Sequence, residues 1–213
     1  MKFSKLLGFI LVLSVVATCF VYPSLPPQIP THWGINGEVD AMGPKSFAFF
    51  TAFLPVILYL LMRIIPKIDP RKDSYQKFEK AYARFVYVLM IFIIGLHWIT
   101  LAWALGYEVP VDTTVKLGLG VLIIVLGNSL GQIRPNYTMG IKTPWTLASE
   151  KVWIKTHKVT SYYMVGCGIF ILLTAFINGT LGFILSIGSL LVVTIGSIVY
   201  SYILYAREEK GKK

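Results

Sequence analysis

The stretch SYYMVGCGIFILLTAFINGTLGFILSIGSLLVVTIGSIVYSYILYA, residues 161–206, contains no Asp, Glu, Lys or Arg. Its two apolar runs, 161–177 and 181–206, are separated only by Asn178-Gly179-Thr180. A bilayer core of about 30 Å is crossed by about 20 apolar residues in a helix. Two such runs joined by a three-residue turn therefore predict a hairpin of membrane-spanning helices. Four further runs of the same kind lie upstream, at 6–22, 47–65, 85–105 and 115–130. The run at 115–130 is the weakest, because Lys116, Asn128 and several glycines interrupt it. The reading is an all-α polytopic membrane protein with six transmembrane helices in three hairpins.

Composition supports this. Of 213 residues, 55% are hydrophobic and 14% charged, too little charge to cover a soluble domain of this length. The formal net charge of +10 would suggest nucleic acid in a soluble protein. Here it fits the Lys and Arg excess that retains loops in the cytoplasm, with no direct nucleic-acid binding. The N-terminus, residues 63–84, residues 133–158 and the C-terminal tail hold 18 of the 20 Lys and Arg. Residues 23–46, 107–116 and 178–180 hold only Lys45 and Lys116, beside Glu38, Asp40, Glu108 and Asp112. Both termini are thus expected in the cytoplasm of a bacterial cell, with Arg63 and Lys116 reaching the interface along their alkyl stems. Residues 1–213 form one domain: a first hairpin at 1–66, and four helices at 84–213. Cys19 and Cys167 sit in apolar runs, which argues against a disulfide. Cys19 also opens a lipoprotein-signal reading, but Thr18 suits that cleavage poorly, and the first run is read as retained.

Two connections exceed a minimal turn. In the outer one, Pro23, Pro26, Pro27 and Pro30 fix an extended backbone, and Gly34 and Gly37 permit a turn. Trp33 suits the membrane interface, with His32 as a polar contact. Two readings stand: a rigid lid facing a ligand, or a stiff connector on the headgroups. A metal or hydrolytic site from His32, Glu38 and Asp40 has no recognised spacing. In the inner connection, Pro135 ends helix four, Thr146 caps a new helix, and Glu150 lies near its positive end. That helix, carrying Trp153, is expected to lie at the interface before helix five turns inward. Gly127 and Gly131 share a helix face that permits close approach, and Asn128 is placed to bond across to a neighbour. His97 is an ionisable group within the third run, functional or structural. The chain holds no phosphate loop, zinc-protease motif or nucleophile with an evident base, so no enzymatic activity and no cofactor or metal are expected.

These loops carry a resemblance. Tyr22-Pro23, Leu25-Pro26, Ile29-Pro30-Thr31-His32-Trp33 and Gly37 resemble the domain of unknown function at the N-terminus of the SdpI family of bacterial membrane proteins. Gly127-Asn128, Arg134-Pro135-Asn136-Tyr137, Gly140-Ile141, Thr143-Pro144-Trp145-Thr146, Trp153 and Thr156-His157 resemble its second signature. The resemblance implies immunity to a secreted toxin peptide, and signalling of its presence by holding a transcriptional repressor at the membrane. Pro26, Pro30, His32, Trp33 and Gly37 would then face the toxin. Arg134, Asn136, Tyr137, Thr143, Trp145 and Trp153 would dock the repressor. The alternative is a small transporter or channel component with His97 and Asn128 along its path.

Overall fold

The computed structural model describes residues 5–211; Lys2, Lys212 and Lys213, which count among the Lys and Arg expected on the cytoplasmic side, lie outside the described residues. The elements run α1 (Lys5–Val21), β1 (Gln28–Trp33), β2 (Val39–Pro44), α2 (Phe47–Ile68), α3 (Glu79–Ala104), α4 (Val111–Leu130), α5 (Pro144–Ala148), α6 (Glu150–Thr174) and α7 (Gly179–Lys210). Short 3-10 turns at Tyr22–Ser24 and Lys72–Phe78 lead out of α1 and into α3. Five of the helical segments are long and apolar enough to cross a membrane. α6 is not among them, because Glu150, Lys151, Lys155 and Lys158 occupy its first third.

The apolar side chains are turned outward as a lipid solvent requires. Phe9, Val12 and Phe20 on α1, and Val192, Ile195 and Val199 on α7, are exposed. The interior instead collects aromatic and small residues. Leu7 and Leu11 of α1, Tyr59 of α2, Tyr82, Val86 and Met90 of α3, and Trp153 of α6 share one core.

The most extensive helix contact is between α4 and α6. Glycines make it close. A methyl group added to Gly168 would lie 2.7 Å from the Gly120 carbonyl oxygen, and one added to Gly127 would lie 2.8 Å from the Val165 amide nitrogen. Gly120 and Gly127 are seven apart and so share a face of α4. Between helices in lipid, such packing replaces the hydrophobic effect, which no longer drives association.

Several expectations need correction. The fold is not purely helical: the outer connection closes as an antiparallel hairpin of β1 and β2. Of the four prolines only Pro30 lies in a strand, and Pro23 falls in the 3-10 turn Tyr22–Ser24; Ile29 is buried, and Val39–Pro44 supplies a partner strand for the backbone groups that remain. Register irregularities flank His32, next to Pro30 and its missing N–H. The interfacial helix and helix five are one continuous helix, α6. Trp153, Thr156, His157 and Thr160 recur at helical spacing and are all buried, so this turn packs into the bundle rather than onto headgroups. Capping also shifts: Thr143 caps α5, with Thr146 completing the capping box, and Ser149 caps α6. α4 ends at Leu130, before Pro135.

Gly166 lies on α6 with open space where a side chain would go. Gly127→Leu is therefore expected to lower the thermal midpoint of the purified protein by ~5 °C or more, from overpacking of ~1–3 kcal/mol. Gly166→Leu is expected to leave it nearly unchanged. Equal effects would show that the α4–α6 approach is not what the glycines serve.

Candidate functional site

The segment between α4 and α6 folds on itself through buried polar side chains. Asn136 is fully buried. Its amide nitrogen donates to the Arg134 carbonyl at 2.9 Å, and its Oδ1 accepts the Thr138 and Met139 amides at 2.9 and 2.6 Å. Trp153 donates from Nε1 to the Ile133 carbonyl at 2.9 Å and stacks on His157 with ring centroids 4.1 Å apart. His157 Nε2 accepts the Ile141 amide at 3.0 Å, so Nδ1 must carry the proton and donate to the Trp153 carbonyl at 2.8 Å. Gly140 passes over this ring at φ 109°, and any side chain there would strike His157 Nε2. Thr143 bonds Ser201 of α7 at 3.0 Å.

Asp69, after α2, ties this segment to the rest of the bundle. It is buried. Its Oδ2 accepts from Tyr75 Oη at 2.9 Å, from the Tyr137 amide at 3.0 Å and from Thr138 Oγ1 at 3.0 Å. Its Oδ1 accepts the Arg71 amide at 2.8 Å. Burial by itself would raise the carboxyl pKa, but these hydrogen bonds outweigh it and hold it below the ordinary carboxylate value. Sequence reasoning missed Asp69. Its two partners in the inter-helix segment, Tyr137 and Thr138, lie 68 and 69 residues away, a separation at which no spacing pattern exists.

The six residues assigned to partner docking thus divide. Asn136, Thr143 and Trp153 are buried and bonded within the chain. Tyr137 is exposed, with Arg71 over its ring at 5.1 Å. Arg134 and Trp145 are half-buried, Trp145 against Tyr202 at 5.1 Å between centroids.

At the other end of the bundle, His32 Nδ1 meets Asp40 Oδ1 at 2.6 Å across the hairpin. Glu38 does not join them: among the described residues no three His, Cys, Asp or Glu side chains converge on a metal position. Pro30 is buried in β1, Pro26 is half-buried before it, and Trp33 is half-buried with its Nε1 enclosed and unpartnered. Gly37, in the turn, lies against Asp112 of α4. Lys116 does not reach outward as expected. It is buried, donating from Nζ to Asp112 Oδ2 at 2.7 Å and to the carbonyl of Ile177, in the turn after α6, at 2.8 Å. Between the hairpin tip, α4 and α7 lies a cavity of about 590 Å³.

His97 stitches three helices. Its Nε2 pairs with Thr18 Oγ1 of α1 and its Nδ1 with Thr51 Oγ1 of α2, each at 2.9 Å. The neighbouring Trp98 donates to Ser14 Oγ at 3.0 Å. Asn128, by contrast, is exposed, and does not bond across to another helix as its position suggested.

Asp69→Asn is expected to speed amide exchange at Tyr137 and the residues around it by at least tenfold. Exchange at α7 should be unaffected. Because the folded pKa is depressed, the contribution of Asp69 is complete above the ordinary value of ~3.9 and is lost as pH falls through the folded value. Protection of Tyr137 relative to intrinsic exchange should therefore fall in the wild type only in acid below about pH 4. A loss of protection beginning near neutrality would assign the effect to another group.

The SdpI/YfhL protein family matches residues 132–201, and a domain of unknown function, DUF1648, matches residues 9–58. The chain is 28% identical over 198 residues to "Immunity protein SdpI" of Bacillus subtilis (strain 168), covering 93% of each. No solved structure matches. One family match thus lies on the segment before α5 and on α5 to α7, another runs across α1, the hairpin and α2, and the likeness to an SdpI immunity protein extends along nearly the whole chain.

Proposed function

We propose that the chain is a non-enzymatic immunity protein of the bacterial cell membrane. It protects the cell from a secreted toxin peptide and reports that peptide by holding a transcriptional repressor at the membrane. The observation that carries the immunity reading is the extent of the likeness to an immunity protein, 93% of both chains. It therefore takes in the outer hairpin and the inner segment together.

In this reading the chain crosses the membrane six times, with the apolar later part of α6 completing the set and both termini inside. The 18-to-2 division of Lys and Arg supports that orientation. So do the contacts. One end of the bundle gathers the hairpin, the start of α4 and the α6–α7 turn through Asp112, Lys116 and Ile177. The other gathers Asp69, residues 131–143 and Ser201.

Repressor capture falls to the surface of residues 133–158, which carry a net +4. Lys142, Lys151, Lys155, Lys158 and Tyr137 are exposed there, and they suit an acidic partner face. Asn136, Thr143 and Trp153 act beneath them as positioning residues. The transporter reading has less support, since both ring nitrogens of His97 are engaged by threonine hydroxyls and Asn128 faces away from the helix contacts.

Cells expressing the chain should survive a secreted toxin peptide that kills cells lacking it; equal killing would end the immunity reading. The charge reversal Lys142→Glu with Lys151→Glu should abolish repressor recruitment while leaving survival intact. Cysteine at Ile35 should react with an impermeant maleimide in intact cells, and cysteine at Lys142 only after permeabilisation. The reverse labelling would invert the topology.

A further inference from the structure

We infer that the cavity beneath the outer hairpin seats a cationic, amphipathic segment of the secreted peptide, with an apolar side chain inside and a basic one at the mouth. This rests on the immunity reading and adds to it a place and a chemistry.

The cavity encloses about 590 Å³, within the range of sites that hold a compact ligand. Val115 and Leu119 of α4 and Phe183 and Ile187 of α7 form an apolar wall, and Trp33 and Ile35 of the hairpin lie over it. Of the polar lining residues, His32 and Asp40 are exposed, while Lys116 and Ser186 are buried. Lys116 is the one Lys or Arg along the lining, and its ammonium is already committed to Asp112 and the Ile177 carbonyl. No lysine or arginine is left there for a phosphate or a peptide carboxylate, and His32 is paired with Asp40. Asp40 at the rim is half exposed, and its partner His32 more so, so a basic side chain has access to that carboxylate.

The surrounding charge points the same way. The outer segments 23–46 and 107–116 hold Glu38, Asp40, Glu108 and Asp112 against Lys45 and Lys116. Lys45 lies over the Tyr22 ring, 4.7 Å from its centroid. This end is therefore acidic in a chain whose total is +10. Complementary charge draws a cationic peptide to this mouth and turns an anionic headgroup away. The hairpin tip rests on α4 and α7 through Gly37 at Asp112 and Asn36 at Gly179. An occupant is thereby in contact with both the hairpin and the helices that run to the opposite face.

The test uses the full-length chain in phosphatidylcholine nanodiscs and a displayed library of random dodecapeptides as the probe. Enriched sequences should combine Lys or Arg with large apolar residues. Their affinity should fall at least tenfold in Val115→Trp, which fills the cavity. It should fall several-fold in Glu38→Gln with Asp40→Asn at low salt, and this loss should fade at high salt. The paired neutral variant leaves the cavity wall intact, so it stands if Val115→Trp does not fold. No enrichment, enrichment of acidic or neutral peptides, or binding indifferent to both variants would overturn the site; the last outcome would mean peptide held by lipid. Survival separates the two readings. If the wild-type chain and Val115→Trp protect cells equally, this site falls and immunity stands. If the wild-type chain protects no cell yet binds cationic peptides in this cavity, immunity falls and the site stands.

Discussion

Gly120 of α4 lies against Gly168 of α6, and Gly127 lies against Met164 and Val165, with no room for a methyl group at these points. In lipid, apolar side chains gain nothing by leaving their solvent, so backbone approach and interhelical bonds must hold the helices together. The α4–α6 contact meets that need and sets the separation of everything attached to its ends. At one end it brings Lys116 to the Ile177 carbonyl. At the other it brings Trp153 to the Ile133 carbonyl. The α1–α3 side is joined differently, by His97 between Thr18 and Thr51 and by Trp98 on Ser14.

The inner segment shows how a loop becomes a surface. Its backbone would be costly to bury unsatisfied, so side chains of the signature supply the partners: Asn136 for two amides, His157 for a third, Trp153 for a carbonyl. These residues are specific because each has a distinct hydrogen-bonding task, not because each touches a partner. What remains outside is basic and aromatic. Asp69, whose carboxylate collects four donors, makes the α2–α3 connection part of the same structure.

The end that carries the hairpin is built on the opposite charge. One lysine is buried and neutralised, and the carboxylates of the hairpin stay accessible. The two ends are therefore chemically distinct, acidic and partly hollow at one, basic and densely bonded at the other. The same helices, α4, α6 and α7, connect them.

Hydropathy alone was enough to locate the apolar helices, five of them long and apolar enough to cross a membrane, because burial in lipid depends on local composition. The extended Pro30, the turn at Gly34–Gly37 and the close-packing face at Gly127 were legible for the same reason: each is a short-range property of the backbone. The β-hairpin was not, since Ile29 and Gly43 become partners only when both strands exist. Nor was the continuity of α6, because its Lys residues signal an interface while Trp153, Thr156 and His157 are drawn inward by neighbours distant in sequence. Asp69, Ser201 and the burial of Lys116 belong to tertiary structure alone. A buried polar group is stabilised by whichever donor or acceptor the fold delivers to it, and that delivery is a property of packing, not of spacing.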